Sequence, residues 1–304
     1  CGSPGTELTV VSVSLELMHQ QSLSPPVAAE TVMVLRDSPR GLEVLMVLRH
    51  GNANVLGGVH VFPGGKLDAL DCQTAASQLD QSAEFLTASL GEAMLDSATG
   101  VGLYVAALRE TFEECGLLLC HELPQPVPDA LRQHLKDGLG FAAAMAQLGL
   151  SLQTSRLKPW SRWITPRVPS VMNKRFDVRF FVALAPTGQA VLHDDHEITE
   201  TVWLTPEAGL RQYWSGDIGL VPAQILSLSQ LVRYATAADV MRAASARPPP
   251  LIAPEAIEQA AERTICYPGD PRHSVTSPVW DGPTRMVYRN NRFEPEGGLA
   301  ALLG

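Results

Sequence analysis

The stretch Leu108–Leu117 reads Leu-Arg-Glu-Thr-Phe-Glu-Glu-Cys-Gly-Leu and predicts the last turns of a helix with two unlike faces. On a helix, Glu110, Glu113 and Glu114 lie on one side, within an arc of about 100°. Mostly apolar residues occupy the other side, and Gly116 is a typical helix terminator. The helix therefore packs with one face and carries clustered negative charge on the other.

Carboxylates clustered at the C-terminal end of a helix are unfavourable when nothing binds to them. Like charges four residues apart cost about 0.2–0.5 kcal/mol per pair, and the helix dipole adds about 0.3–1 kcal/mol for each carboxylate. A hard divalent cation reverses both effects, because it takes oxygen ligands. At this point two interpretations are open, a divalent-metal site and a solvated acidic helix end.

A second stretch, Phe62–Lys66, has the sequence Phe-Pro-Gly-Gly-Lys and predicts a strand that runs into a tight turn. Its glycines let the backbone approach an anion or present a carbonyl to a metal ion. Together, Phe62–Lys66 and Arg109–Leu117 resemble the two halves of the Nudix box of the Nudix hydrolase superfamily. The second half is the closer match. In the first half Asp71 replaces a glutamate, and 37 residues separate it from Arg109, about 30 more than in the family pattern.

Such an insert is typical of one branch of the superfamily, which includes peroxisomal coenzyme A diphosphatases. Other segments resemble that branch in the same order, across residues 28 to 225: Val59–Gly65, Trp163–Pro166, Arg175–Phe181 and Glu197–Pro206. The resemblance implies an α/β (α+β) fold. The expected fold is a Nudix-type α/β/α sandwich with a mixed sheet, a helical insert within the Nudix box and extra C-terminal helices.

The resemblance also implies a metal site. Glu110, Glu113 and Glu114 are expected to bind Mg²⁺ or Mn²⁺, with the carbonyl of Gly64 as a further ligand. Such ions neutralise the oxygens of a diphosphate and lower the pKa of a bound water. Arg109 is expected to orient the glutamates through a bidentate ion pair rather than to touch the substrate.

Several assignments around this metal site have more than one candidate. Asp68 or Asp71 is the expected second partner of Arg109. Many Nudix enzymes add a carboxylate from a later loop as a ligand or base, and here Glu197 is the first candidate and Glu200 the second. The alternative for both is an exposed loop carboxylate, and a glutamate of the box could equally be the base.

Arg49 begins a further pattern that is found in coenzyme A-cleaving Nudix enzymes. Arg49 and Gly58 have the spacing of that pattern, but His50 and Asn54 stand where a small residue and a second arginine are usual. Asparagine cannot replace the charge and forked donors of arginine at a phosphate contact. Arg49 is therefore either a substrate contact or a strand-end charge that faces water.

The sequence thus predicts a hydrolase that cleaves the diphosphate bond of a nucleotide-containing small molecule. Arg49, Phe62 and Gly65 are the expected substrate-binding residues. The lead substrate is coenzyme A or acyl-coenzyme A, which would give 3′,5′-ADP and (acyl-)phosphopantetheine. The alternatives are ADP-ribose, NADH or a dinucleotide polyphosphate as substrate, and a non-catalytic domain that senses a nucleotide.

The expected organisation has three parts. Residues 1–27 form a strand and linker, residues 28–247 the Nudix domain, and residues 248–304 a C-terminal extension that packs on that domain. The insert at about 69–100 is either a lid that shapes the substrate site or a peripheral addition. In the extension, the sequence predicts a short helix near Glu255–Arg263 and a strand at Thr284–Arg289.

Composition excludes several other classes of protein. The chain has 304 residues and a net charge of −9, which argues against nucleic-acid and anionic-membrane binding. The five cysteines form no CxxC pair and suit a reducing compartment. With no long apolar run, no leader and no peroxisomal Ser-Lys-Leu end, we expect a cytoplasmic protein without a membrane span. A homodimer is compatible with the sequence, which does not fix the oligomeric state.

Overall fold

The computed structural model describes residues 24–50, 58–120, 127–167, 174–192, 198–259 and 262–304. Two apolar runs of the sequence form strands β1 (Val27–Ser38) and β2 (Gly41–Arg49), which pair as an antiparallel hairpin. Both strands are buried over most of their length. This burial is expected when helices cover both faces of a sheet.

Five further strands complete a seven-stranded sheet: β3 (His60–Val61), β4 (Lys158–Ile164), β5 (Phe176–Leu184), β6 (Ile198–Leu204) and β7 (Leu251–Ile252). The strand order is β3-β2-β1-β5-β4-β7, and β6 also pairs with β2. The pairs β1–β5 and β4–β7 are parallel and the other pairs are antiparallel. The predicted mixed sheet is confirmed.

Helices cover both faces of this sheet. Val32 and Val34 of β1 share one core with α1 (Ala83–Ser89), α2 (Ser97–Cys115), α3 (Val127–Lys136) and α4 (Phe141–Gln147). Met33 and Leu35 share the other core with α5 (Pro206–Ser215), α6 (Pro222–Leu231) and α7 (Ala237–Ala246). Because side chains of a strand alternate between faces, β1 contributes to both cores, and the expected α/β/α sandwich is confirmed.

The C-terminal residues form a second, antiparallel sheet. Its strands are β8 (Glu255–Gln259), β9 (Glu262–Cys266), β10 (Arg285–Arg289) and β11 (Arg292–Pro295), in the order β11-β10-β9-β8, followed by α8 (Gly298–Leu303). Ile265, Met286 and Phe293 are buried in the same core as α5–α7. No helix in the described residues is long and apolar enough to cross a membrane.

The predicted helix at Glu255–Arg263 is wrong, because β8 and β9 occupy these residues. Five residue pairs join the two strands, and β9 also pairs with β10. The alanine and glutamate residues of this segment favour a helix locally. The pairing of β8 with β9, and of β9 with β10, joins the segment to a sheet, and such tertiary contacts override local propensity.

The insert packs closely on α2. A Cβ atom added to Gly100 would lie 2.5 Å from Oγ1 of Thr87, and one added to Gly102 would lie 2.8 Å from Sγ of Cys72. These glycines therefore let the insert approach the helix backbone. Beyond α1, Glu92 pairs with Arg179 of β5, which joins the insert to the sheet. Whether the insert contacts a substrate stays a prediction.

Candidate active site

The acidic residues of the site lie in the last turns of α2. The helix ends at Gly116, which adopts the left-handed conformation with φ of 67°. The predicted apolar face, which includes Tyr104 and Phe112, is buried. The three glutamates differ in exposure: the side chain of Glu114 is 7% exposed, whereas those of Glu110 and Glu113 are 17% and 39% exposed.

The Pro-Gly-Gly turn reaches this helix because the β1–β2 hairpin opens. The two strands pair over Leu35–Ser38 and Gly41–Val44, next to their connecting turn. Further along β1, the backbone N–H of Val32 donates to the Pro63 carbonyl at 2.8 Å, and that of Glu30 donates to the Gly65 carbonyl at 3.0 Å. The turn that follows β3 therefore lies beside β1, in front of the end of α2.

Close contacts explain why glycine occupies both turn positions. A Cβ atom added to Gly64 would lie 2.4 Å from the Glu30 carbonyl oxygen, and one added to Gly65 would lie 2.2 Å from Oε1 of Glu110. The N–H of Gly64 also donates to Oε2 of Glu114 at 3.0 Å. The two separated halves of the sequence motif thus meet in space.

Arg109 joins the acidic residues to the start of the insert. Its Nε and Nη2 donate to Asp71 at 3.1 and 2.9 Å, and its Nη1 donates to Glu110 at 2.7 Å and to Glu113 at 3.0 Å. Asp68 lies further away, at 3.8 Å. Burial alone would lower the pKa of the Arg109 guanidinium, but Asp71 and Glu110 raise it above its usual value. Burial also raises the pKa of Glu113, and Arg109 acts in the opposite direction.

Glu30 belongs to the same cluster and was missed in the sequence. It is 2% exposed in the middle of the sheet, and its Oε1 accepts from the N–H of Gly65 at 3.1 Å. Its Oε2 is buried and has no hydrogen-bond partner among the described residues. Burial, and next the charge of Glu110, raise the pKa of the Glu30 carboxyl well above its ordinary value, although Gly65 and Arg109 oppose this shift. The available signal was a glutamate inside an apolar strand.

The remaining predicted residues have different outcomes. Nη1 of Arg49 lies 3.5 Å from Oε1 of Glu114, so the structure brings Arg49 to the site. The side chain of Phe62 is 2% exposed and packs edge-on against Phe180. Because it lies in the core, we no longer expect it to contact a substrate directly. Glu197 lies outside the described residues.

The carboxylates at this turn form a set of oxygen donors of the type that a hard divalent cation prefers. Among the described residues, no three His, Cys, Asp or Glu side chains are placed as a ready metal-ion site, and Arg109 Nη1 lies between Glu110 and Glu113. The chemistry nevertheless fits a hard cation, because Glu110 and Glu114 present carboxylate oxygens at one turn. The buried, unpartnered oxygen of Glu30 also fits. Binding would require Glu110 to exchange Arg109 for the cation.

These elements and this site are arranged as in Nudix domains, and the chain is similar to proteins of the Nudix hydrolase superfamily. The model of the NUDT19 Nudix domain matches residues 87–231. The crystal structure of a NUDIX hydrolase from Alicyclobacillus acidocaldarius has a TM-score of 0.57 and 27% identity, and the match covers 73% of this chain and 97% of that one.

Two relatives have names that specify a substrate. The chain is 28% identical over 231 residues to the acyl-coenzyme A diphosphatase NUDT19 of Xenopus laevis, covering 64% of this chain and 60% of the relative. It is 26% identical over 244 residues to the Homo sapiens protein of that name, covering 66% of this chain and 63% of the relative. The matched region is therefore less than two thirds of each relative's length.

Proposed function

We propose that this chain is a metal-dependent hydrolase that cleaves the diphosphate bond of coenzyme A or acyl-coenzyme A. The products would be 3′,5′-ADP and (acyl-)phosphopantetheine. The observation that carries the proposal is the meeting of Glu110 and Glu114 with the Gly64–Gly65 turn. The names of the two diphosphatase relatives support coenzyme A as the substrate class.

We assign the cation, Mg²⁺ or Mn²⁺, to Glu110, Glu113, Glu114 and the carbonyl of Gly64. When bound, it would offset the negative charge of the diphosphate oxygens and assist the attack of water at phosphorus. Arg109 holds two of these glutamates and is itself fixed by Asp71. Its contribution is to orient ligands, as a bidentate guanidinium does.

Two further residues act on the substrate side in this proposal. Arg49 is positioned beside Glu114 and supplies positive charge for a phosphate group. Gly65 leaves room at the Glu110 carboxylate, where a side chain would collide. The general base is either one of the three box glutamates or Glu197.

A substrate panel tests the proposal. Coenzyme A, acyl-coenzyme A, ADP-ribose, NADH and diadenosine polyphosphate are incubated with the protein and Mg²⁺, and released nucleotides are measured by chromatography. We expect 3′,5′-ADP from the coenzyme A compounds at the highest kcat/KM, and release that is at least about 100-fold slower in a Glu114→Gln variant. A higher kcat/KM for another compound would reassign the substrate. Nucleotide binding without hydrolysis of any compound would indicate a sensor instead.

A further inference from the structure

Glu30 is a carboxylate in a place where carboxylates are costly. It lies on β1 between Ala29 and Thr31, and all three residues are buried. An ionised carboxylate in such a position is strongly destabilising unless a cation or several hydrogen bonds compensate for the lost water. A neutral side chain such as glutamine could accept the hydrogen bond from Gly65 equally well, so this contact alone does not account for a carboxylate here.

No arginine among the described residues pairs with Glu30, although the charge of Arg109 acts to lower its pKa. Arg179 is the direct neighbour of Glu30 on β5, but its guanidinium forms a bidentate pair with Glu92 at 2.8 and 2.7 Å. Arg109 is bound to Asp71 and to the box glutamates. One carboxylate oxygen of Glu30 therefore stays unpartnered among the described residues.

The surroundings of Glu30 include other carboxylates. The charges of Glu110 and Glu114 both act to raise the pKa of the Glu30 carboxyl, after the larger effect of burial. Oε1 of Glu30 is held by the same Gly64–Gly65 turn that binds Glu114 and adjoins Glu110. Three acidic side chains, two from α2 and one from the sheet, thus converge on one turn.

We infer that Glu30 is an additional ligand for a divalent cation at the site, provided by strand β1 of the sheet that α2 packs on. Its unpartnered Oε2 binds the cation together with the carboxylates of Glu110 and Glu114. This inference rests on the proposed function, because it takes that site to bind a metal ion. Neither half of the sequence motif contains Glu30, so the ligand set extends beyond the motif.

Glu43 offers a matched control. It too is a buried glutamate in the sheet, but Nε of Arg36 donates to it at 2.8 Å and Arg40 also pairs with it. Loss of its charge should therefore destabilise the protein without affecting the metal site. The two glutamates have similar burial and differ in whether a cationic side chain already compensates them.

The test measures Mn²⁺ binding by isothermal titration calorimetry, with melting curves in EDTA as a check of folding. We expect Glu30→Gln to weaken Mn²⁺ binding by about tenfold or more, while its metal-free Tm is at least that of the wild type. Glu43→Gln should bind Mn²⁺ as the wild type does and have a lower Tm. If Glu30→Gln does not fold, Glu30→Asp is measured instead. Its shorter side chain keeps the charge but moves the carboxylate away from the cation, so we expect the same weakening of Mn²⁺ binding.

The outcomes separate this inference from the proposed function. Wild-type Mn²⁺ affinity in a folded Glu30 variant, together with weakened binding in Glu110→Gln, would overturn the role of Glu30 and leave the metal site in place. A wild-type protein that binds no Mn²⁺ would overturn both.

Discussion

The two carboxylate oxygens of Glu114 have different partners, so an amide in place of the carboxylate can keep one contact and lose the other. Oε2 accepts from the N–H of Gly64 at 3.0 Å, whereas Oε1 lies 3.5 Å from Arg49. Glu114→Gln keeps an oxygen that can accept from Gly64 but removes the charge that a cation needs. We expect kcat to fall by at least about two orders of magnitude with the circular dichroism spectrum unchanged. Full activity in this variant would contradict the assignment.

Gly65 is the second residue whose replacement has a defined steric result. In Gly65→Ala, the new Cβ would lie 2.2 Å from Oε1 of Glu110, so the carboxylate must move. Because a shift of about 1 Å at a reacting centre can cost about 100-fold in rate, we expect a loss of that order in kcat/KM and a small change in Tm.

The control for Gly65→Ala is Gly140→Ala. A Cβ atom at Gly140 meets its nearest neighbour, Leu70, at an ordinary 3.5 Å. Its kcat/KM should equal that of the wild type. Equal activity of the two variants would show that space at Glu110 is unimportant.

At the scale of elements, Glu92 links the insert to the central sheet. It forms a bidentate pair with Arg179 and a further ion pair with Arg162 at 2.9 Å. The side chains of Glu92 and Arg179 are 8% and 6% exposed. Without Glu92, Arg179 and Arg162 would share the single carboxylate of Asp177, at 3.1 and 2.7 Å. One positive charge would then stay uncompensated, so Glu92→Ala should lower the free energy of unfolding by about 3–5 kcal/mol, measured by urea denaturation.

An exposed ion pair provides the comparison for Glu92. Glu207 and Arg211 of α5 pair at 2.8 Å, with both side chains more than half exposed. Such surface pairs contribute about 0–1 kcal/mol. If Glu92→Ala destabilised the protein no more than Glu207→Ala, the insert would not depend on this link.

The second sheet contains a carboxylate whose effect on stability should depend on pH. Burial would raise the pKa of Asp270, but Arg285, at 2.7 and 3.0 Å, and the Arg272 N–H together hold it below its ordinary value. A lowered pKa in the folded state means that the ionised form stabilises the fold above the unfolded-state pKa of about 3.9. This stabilisation is lost as the pH falls from there through the folded-state pKa.

We therefore expect Asp270→Asn to lower Tm most near neutral pH, and its difference from the wild type to shrink below about pH 4. Melting curves from pH 3 to 7 measure this difference. Asp281→Asn is the control, because Asp281 is 95% exposed and lies 4.0 Å from Arg233. A difference for Asp270→Asn that stays constant with pH would contradict the ion pair as its cause.

At the scale of the whole molecule, the sequence predicted the features that depend on residues close together in the chain. Spacings of three and four placed Glu110, Glu113 and Glu114 on one face of α2, and Gly116 marked its end. These inferences need only helix geometry. Layers and sheet type followed from the family resemblance, and the fold confirms them.

Features that depend on distant pairing were missed. Glu30 meets Gly65 only because the β1–β2 hairpin opens, and no local pattern in β1 indicates that opening. Glu92 and Arg179 are 87 residues apart, so their pairing has no sequence spacing to reveal it. The strand β8 was predicted as a helix because its partner strands were not known.

The opening of the first hairpin has a consequence for how this motif tolerates change. Its glycine half is hydrogen-bonded to the backbone of β1, and its acidic half is carried by a helix that packs on the same sheet. The sheet, rather than the intervening chain, thus sets the geometry between the halves. Evolution can lengthen that connection by dozens of residues without moving the reactive groups apart, and searches that demand a constant gap will overlook such proteins.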